Sequence, residues 1–157
     1  MIHQDIYERM MFIRQVITEY LNNGIEEKYF FELQVDENAN ALSFQGDRAL
    51  LIRLLDNLIV NAINHNPDGC AIIIAIDKQE TDCVIRVTDN GVGMKEEQLL
   101  SLNNGVFVNL IYHYENDIPH GLGLRLSTQI VQAHNGKISF SKGLPTGLDI
   151  HITIPLA

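Results

Sequence analysis

Residues 47–67 have the clearest hydrophobic pattern in the chain, with apolar side chains recurring every three or four positions. This spacing predicts one long helix, with Asp47 as its N-cap and the turn that begins at Asn66 as its end. One stripe stays apolar, whereas its neighbour begins with leucines and continues as asparagines. The mixed stripe consists of Leu50, Leu54, Asn57, Asn61 and Asn64. It is either a solvated edge or a buried face, and burial would require a polar network or a bound ligand and metal, since an unpaired buried amide costs roughly 1–3 kcal/mol.

The rest of the pattern predicts two more helices and five strands. The helices are expected at about Ile2–Asn23 and Leu122–His134, and the strands at Tyr29–Val35, Ala71–Asp77, Cys83–Asp89, Lys137–Ser141 and Leu148–Ile154. Between Met94 and His120 the periodicity is weak, and a loop of that length is typical of a functional lid or a disordered segment. The order of elements predicts an α+β fold, a two-layer α/β sandwich. Three helices would lie on one face of a mixed, mostly antiparallel sheet of about five strands.

Strand parity gives Asp89 an unusual position. Side chains alternate between the two faces of a strand, so Asp89 lies on the same face as Cys83, Ile85 and Val87. A carboxylate that ends an apolar face needs a hydrogen-bond donor or a ligand nearby.

Composition limits the class of protein. The chain has 157 residues, of which 46% are hydrophobic and 20% charged, and this suits one domain with a proper core. The net charge of −9 and the lack of a basic patch argue against nucleic acid as a partner. No apolar run is long enough to cross a membrane, so we expect no direct membrane contact by these residues. Cys70 and Cys83 lack metal-type spacing and favour a reducing, cytosolic compartment.

Two glycine motifs flank the weakly periodic stretch. Asp89–Met94 follows a strand at once, and on its own its Asp-Asn-Gly start is a common turn signal. His120–Ser127 opens a helix, where glycines let the backbone approach a ligand and the helix N-terminus attracts anions. The second motif is neither a Walker loop nor a dinucleotide fingerprint, since no Gly-Lys-Ser/Thr follows and a third spaced glycine is missing.

The joint occurrence of these motifs, in this order, resembles the N, G1 and G2 boxes of the GHKL superfamily of ATP-binding proteins, which includes gyrase, Hsp90, MutL and histidine kinases. The motifs are most similar to those of the catalytic ATP-binding (HATPase) domain of bacterial sensor histidine kinases. They are Gly46-Asp47, Asn57-Leu58-x-x-Asn61-Ala62, Asp89–Met94, Gly121–Leu124 and His134–Gly136. The resemblance covers nearly the whole chain. It implies the Bergerat fold and a histidine protein kinase that transfers the ATP γ-phosphate to a histidine.

The resemblance also implies roles for individual residues. Asp89 would accept a hydrogen bond from the adenine amino group, and Asn61 would hold Mg²⁺ through its carbonyl oxygen, a hard ligand for a hard cation. The glycine motifs would bring the backbone close to adenine, the lid and the phosphates. The implied ATP-binding set is Asn57, Asn61, Asn64, His65, Asp89, Gly91, Gly93, Gly121, Leu122, Gly123 and Leu124, with Asn61 as the metal ligand and with ATP and Mg²⁺ as cofactors. No residue is assigned to the chemical step itself.

One position separates the subfamilies. The ATP-hydrolysing members and the anti-sigma kinases carry a glutamate one turn before the metal asparagine, as a base. Here that position holds Asn57, which cannot act as a base. The sequence therefore favours phosphoryl transfer to a histidine over hydrolysis.

The sequence departs from the family in side chains near the phosphates. Members usually carry a lysine at the position of Asn64 and an aromatic residue at that of His65, with a phenylalanine-rich box and basic residues in the lid. Here the lid has only Lys95 near its start, and Phe107 is a remnant of the box. Neutralisation of the triphosphate would then fall mainly on Mg²⁺ and a helix N-terminus, so we expect modest ATP affinity with a strong Mg²⁺ dependence.

The phosphoacceptor pattern of the family is missing. Family acceptors have a His-Glu/Asp pair and a downstream proline, whereas His3-Gln4-Asp5 has neither. We expect residues 1–24 to be a first helix that includes the connection from a dimerisation domain, and residues 25–157 to form the catalytic domain. The implied partners are the histidine-containing dimerisation domain of the same kinase and a response regulator. The implied location is cytoplasmic, at the inner end of a membrane-anchored receptor.

Two alternatives stay open. The poor lid would suit a degenerate ATP-sensing or protein-interaction module that no longer transfers phosphate. The length would suit a standalone anti-sigma-type kinase of the same superfamily, although Asn57 disfavours it.

Overall fold

The structure is a computed structural model, and it describes residues 3–5, 18–19, 27–36, 43–107 and 120–156. The strands among these residues are β1 (His3–Asp5), β2 (Tyr29–Val35), β3 (Ser43–Gln45), β4 (Cys70–Gln79), β5 (Asp82–Asp89), β6 (Lys137–Lys142) and β7 (Leu148–Pro155). The helices are α1 (Arg48–His65), α2 (Glu96–Asn103) and α3 (His120–Ala133), and Thr18 and Glu19 are also helical. None of the described helices is long and apolar enough to span a bilayer.

Five strands form one mixed sheet in the order β2-β4-β5-β7-β6. Strand β2 is parallel to β4, and the other three pairings are antiparallel. The register lines up apolar side chains across the sheet. One such row consists of Ile74, Val87, Ile150 and Phe140, all of which are buried. These side chains form one core with buried residues of the three helices. The predicted two-layer sandwich with a mixed, mostly antiparallel sheet is therefore confirmed.

Helix α1 packs as its hydrophobic pattern predicts. Asp47 caps it, since its Oδ1 accepts a hydrogen bond from the Leu50 amide at 3.2 Å. Its apolar stripe is buried along the whole length, from Leu51 to Ala62. In the mixed stripe, Leu54 and Asn61 are buried, Leu50 and Asn57 are half-buried, and Asn64 is exposed. The helix therefore carries an asparagine into the core and is not merely an asparagine-rich solvated edge.

The N-terminal end of the chain differs from the predicted helix at Ile2–Asn23. His3–Asp5 form β1, which pairs antiparallel with β3. The start of that predicted helix is therefore wrong, because a partner strand supplies hydrogen bonds that a local pattern does not reveal. Thr18 and Glu19 are helical, and the rest of the segment lies outside the described residues. The expected division into residues 1–24 and 25–157 stays a prediction.

The weakly periodic stretch contains the helix α2, which the sequence analysis did not predict. Leu99 and Leu102 bury this helix against the core. Its last residue is tied to strand β6: Nδ2 of Asn103 donates to the Phe140 carbonyl, and Oδ1 of Asn103 accepts from the Phe140 amide, each at 2.8 Å. The first part of the expected lid is thus fixed to the sheet. Residues 108–119 lie outside the described part of the chain.

Candidate functional site

Asp89 ends strand β5 with its carboxylate inside the fold. The residue is only 6% exposed, and its side chain lies on the face that Cys83, Ile85 and Val87 bury. Its Oδ1 accepts hydrogen bonds from the backbone amides of Gly91, at 3.0 Å, and Leu148, at 3.4 Å. The predicted position of this carboxylate, at the end of an apolar face and with donors nearby, is confirmed.

The environment of Asp89 acts on its pKa in two directions. Burial raises the pKa of the carboxyl above its ordinary value, because the charged form loses hydration. Hydrogen bonds from the amides of Gly91 and Leu148 and from the Asn66 side chain lower it in part. Burial, and then the nearby Asp89 charge, raise the pKa of the Cys70 thiol to about 11, so this thiol is neutral at physiological pH. Asp89 therefore supplies a carboxylate at an apolar site, which suits recognition of a neutral donor group.

The turn after Asp89 is held from several directions. The Asn90 side chain accepts from the Ala71 amide of β4 at 2.7 Å, and the Asn90 carbonyl accepts from the Thr146 hydroxyl of the β6–β7 loop at 3.1 Å. Gly93 has φ +71°, and a Cβ there would lie 2.8 Å from the Gly147 carbonyl oxygen. A side chain at Gly93 would be both strained and crowded. The turn is therefore a preformed structure and not a loose connection.

Two of the three asparagines of α1 present buried polar atoms that have no partner in the part of the chain that the structure describes. Asn61 is 5% exposed, and its buried Oδ1 has no hydrogen-bond partner among the described residues. Asn57 lies one turn earlier, and its buried Nδ2 likewise has none. Buried polar groups in native proteins are nearly always satisfied, so such atoms suit contact with a ligand, an ion or an ordered water. An amide oxygen is a hard donor, which fits Mg²⁺. The described residues include no cluster of three or more His, Cys, Asp or Glu side chains that could hold a metal, so an ion here would also need ligand oxygens.

The structure reveals one site residue that the sequence analysis treated only as the end of a helix. Asn66 is 3% exposed. Its Nδ2 donates to the Ala62 carbonyl at 2.8 Å, and its Oδ1 accepts from the Val92 amide at 2.9 Å. The Asn66 side chain thus joins the end of α1 to the turn after Asp89. An asparagine before a proline is such a common turn signal that the sequence gives no sign of this link.

The other two α1 residues of the predicted set differ in exposure. Asn64 is exposed, whereas His65 is half-buried. Because Asn64 is exposed, its amide could contact a ligand only on the solvent-facing side of the site. Contacts of both residues with nucleotide stay predictions.

The second glycine motif lies within the first turn of α3. The helix begins at His120, two residues before the predicted start at Leu122, so Gly121 and Leu122 are helical. Outside its own helix backbone, no heavy atom of the described residues lies within 4 Å of a Cβ added at Gly123. Leu124 is fully buried in the core and anchors this turn. A helix N-terminus with a bare glycine backbone is suited to phosphate.

In the sequence, one cation directly follows each glycine motif, Lys95 after Met94 and Arg125 after Leu124. Arg125 and Lys95 are both exposed. Phe107 is partly buried and packs against the core. This position is compatible with a remnant of the phenylalanine-rich box. The described residues therefore offer a buried carboxylate, a buried amide oxygen and a helix N-terminus. A divalent cation would add positive charge for a polyphosphate.

Comparison with known proteins gives one matching family model and a set of similar curated proteins. Residues 46–157 match the family model described as histidine kinase-, DNA gyrase B- and HSP90-like ATPase. The chain is 29% identical over 141 residues to the sensor histidine kinase YvrG of Bacillus subtilis, covering 90% of this chain and 24% of that protein. It is 28% identical over 158 residues to sporulation kinase B of the same organism, covering 99% of this chain and 36% of that protein. The chain thus spans about a quarter to a third of the length of these relatives.

The fold is also that of solved kinase domains. The catalytic domain of histidine kinase ThkA superposes with a TM-score of 0.79 at 22% identity, over 98% of this chain and 94% of that one. The mycobacterial sensor histidine kinase MprB superposes with a TM-score of 0.73 at 21% identity, over 99% and 98% of the two chains. At these identities the similarity establishes the fold alone.

Proposed function

Because the chain belongs to the family of histidine kinase-, DNA gyrase B- and HSP90-like ATPases, we propose that it binds Mg·ATP and delivers the γ-phosphate to a histidine of a separate dimerisation domain. It is the ATP-binding catalytic domain of the histidine kinase type. Phosphoryl transfer breaks the bond between the γ-phosphorus and the β–γ bridging oxygen and forms a bond to an imidazole nitrogen. ADP is the leaving group. Positioning and charge neutralisation carry most of such a reaction.

The adenine end of this site is assigned to Asp89. Its carboxylate would accept the hydrogen bond of the exocyclic amino group. A guanine carries a carbonyl oxygen at that position, and two acceptors would face each other. The low exposure of Asp89 supports this role, because a hydrogen bond to a charged group is stronger where water is excluded.

The metal end is assigned to Asn61. Its unpartnered Oδ1 supports a role as Mg²⁺ ligand, and Mg²⁺ keeps its remaining positions for water and phosphate oxygens. When bound, Mg²⁺ would neutralise charge on the triphosphate. Asn57 would line the same pocket one turn away. Because it carries no carboxylate, it leaves water near the γ-phosphate without a base.

The phosphate end is assigned to the backbone of the α3 N-terminus at Gly121 and Gly123. The space that the described residues leave beside Gly123 supports close approach of a phosphate oxygen. Leu122 and Leu124 would contribute backbone only, and Gly91 and Gly93 would shape the adenine side. Asn64 and His65 complete the proposed set at its rim.

The buried Oδ1 of Asn61, which has no partner among the described residues, is the observation that carries this proposal, because buried polar atoms of native proteins normally have one. Residues 1–24 would connect to the dimerisation domain, and residues 25–157 would form the catalytic domain. A response regulator would receive the phosphate afterwards. The chain would act in the cytoplasm, at the inner end of a membrane-anchored receptor.

To test the proposal, the chain is mixed with ATP labelled at its γ-phosphate and with a purified dimerisation segment that contains the acceptor histidine. We expect acid-labile label on that segment, lost with Asn61→Ala and kept with Asp68→Ala, an exposed control in the turn after α1. Binding of ATP without any transfer would instead support the degenerate sensing module. Absence of both binding and transfer would refute the proposal.

A further inference from the structure

The Asn66 side chain lies at the junction of three parts of the site. From α1 it contacts the Ala62 carbonyl, directly beside Asn61. From the turn after β5 it contacts the Val92 amide. Its backbone carbonyl accepts a hydrogen bond from the Tyr29 hydroxyl at 2.7 Å and from the Gly69 amide at 2.9 Å. The residue is therefore fixed at both its backbone and its side chain, and every contact is buried or partly buried.

Gly91 is shaped to receive this side chain. A Cβ at Gly91 would lie 1.8 Å from Oδ1 and 2.2 Å from Cγ of Asn66. The φ angle of Gly91 is not in the left-handed region, so its backbone conformation does not require glycine. What requires glycine at this position is the Asn66 amide itself. The first glycine of the motif thus serves an internal contact as well as any ligand.

The same amide acts on the groups that face the adenine side. The Asn66 amide, through hydrogen bonding, lowers the pKa of the Asp89 carboxyl and of the Cys70 thiol against the effect of burial. Around Asp89, β4 contributes the neutral Cys70 thiol, β7 contributes the Leu148 amide, and α1 contributes this uncharged asparagine. Asn66 therefore adds to the Gly91 and Leu148 amides in favouring the ionised form of the carboxylate.

We propose that Asn66 is a positioning residue for nucleotide recognition, which sets the adenine-binding turn against the metal-binding helix and keeps Asp89 oriented for the adenine amino group. This inference rests on the proposed function. It adds that adenine and metal recognition are mechanically linked through one buried amide. A loss of Asn66 should therefore reduce affinity for the base even though Asn66 itself touches no phosphate.

The first test measures ATP affinity as a function of pH for the wild-type chain and for Asn66→Ser, with Asp68→Ala as control. We expect Asn66→Ser to weaken Mg·ATP binding by about tenfold, the effect of one buried hydrogen bond to a functional group. The pH below which ATP binding is lost, its acidic limit, should be higher for Asn66→Ser than for the wild type. The reason is that Asp89 loses a donor that favours its charged form. Purine riboside triphosphate, which lacks the exocyclic amino group, should show no such pH limit.

The outcomes separate the two proposals. If the wild-type chain does not bind Mg·ATP, the proposed function fails first. If the wild type binds ATP and Asn66→Ser binds it equally well with the same pH limit, the role of Asn66 is refuted while the proposed function stands. An equal loss for ATP and for purine riboside triphosphate, with no shift of the pH limit, would also refute it, since it would indicate a general structural effect.

A double-mutant cycle tests the same contact through thermal stability as well as through ATP binding. Gly91→Ala alone should be strongly destabilising, because its methyl group meets the Asn66 amide. In the Asn66→Ser background the same change should cost markedly less, and both ATP binding and thermal stability should recover in part relative to Gly91→Ala. Additive effects would show that the two residues are not coupled and would overturn the inference.

Discussion

The backbone amide of Asp47 donates a hydrogen bond to Nε2 of His134 at 3.1 Å, which joins the start of α1 to the end of α3. The other ring nitrogen, Nδ1, lies 2.8 Å from the Ile130 carbonyl and donates to it, since Nε2 is the acceptor. One neutral imidazole thus holds together the two helices that carry the proposed metal and phosphate ends of the site.

Replacement of His134 by alanine should loosen this helix pair. The change removes the hydrogen bond that Nε2 accepts from the Asp47 amide and the one that Nδ1 donates to the Ile130 carbonyl. We therefore expect the free energy of unfolding to fall by about 1–2 kcal/mol. Urea unfolding measures this change. Gln132→Ala, at an exposed position in the same turn, should have an effect under about 0.5 kcal/mol. Equal effects of the two variants would contradict a specific role for His134.

Asp89→Asn should separate stability from function. Because burial raises the pKa of Asp89 in the folded chain, the folded state binds more protons between the unfolded and folded pKa values. Stability is therefore lost as the pH rises through the folded pKa of Asp89, and the neutral asparagine avoids that loss. Its Oδ1 can still accept from the amides of Gly91 and Leu148, because both bonds go to one oxygen.

We accordingly expect Asp89→Asn to be at least as stable as the wild type at neutral pH, with the difference vanishing in acid below the unfolded pKa. ATP affinity should fall by about tenfold or more, as expected when a hydrogen bond to a charged group is lost. Denaturant titrations at several pH values, together with calorimetric ATP binding, measure both effects. A variant whose stability relative to the wild type is lower at neutral pH than in acid would contradict the predicted sign.

Asn57→Glu should convert transfer towards hydrolysis. It places a carboxylate one turn before Asn61, where hydrolysing members of the superfamily have their base, and the Nδ2 that it removes has no partner. A positioned general base contributes about 10²-fold or more, so we expect the rate of phosphate release from ATP to rise by about that factor. Asn57→Gln, similar in size but without a carboxylate, is the matched control. An equally slow release by both variants would show that Asn57 does not adjoin the γ-phosphate.

Asn103 and Asn104 form a natural pair for testing the attachment of α2. Asn103→Ala removes both hydrogen bonds between this side chain and the Phe140 backbone of β6. We therefore expect the free energy of unfolding to fall by about 1–3 kcal/mol. The Phe140 amide should also exchange its hydrogen faster. Asn104→Ala, whose residue is exposed one position later, should change neither quantity appreciably. Similar exchange at Phe140 in both variants would rule out the proposed attachment.

The sequence predicts the large elements well because their patterns are strong. The apolar stripe of α1 and the alternation that places Asp89 on the buried face both appear in the structure as expected. These features depend on local periodicity, which burial against a sheet preserves.

Other features depend on contacts between distant residues. Helix α2 has only Leu99 and Leu102 as buried residues, too few for a clear period, and it is held by the bond of Asn103 to a strand 37 positions away. The short strand β1 depends on pairing with β3. Asn66 reads locally as a turn residue, and only the approach of Gly91, 25 positions later by residue number, reveals its second role. No periodicity in the sequence encodes these contacts.

Backbone amide NMR spectra of the chain, recorded during titration with a non-hydrolysable ATP analogue and Mg²⁺, test the central claim most directly. The claim is that the end of α1, the turn after β5 and the start of α3 form one nucleotide site. We predict that Asn61, Gly91, Gly93 and Gly123 shift together along one binding curve, and that EDTA weakens this curve by about tenfold or more. Shifts confined to other surfaces, or separate curves for these residues, would contradict the account.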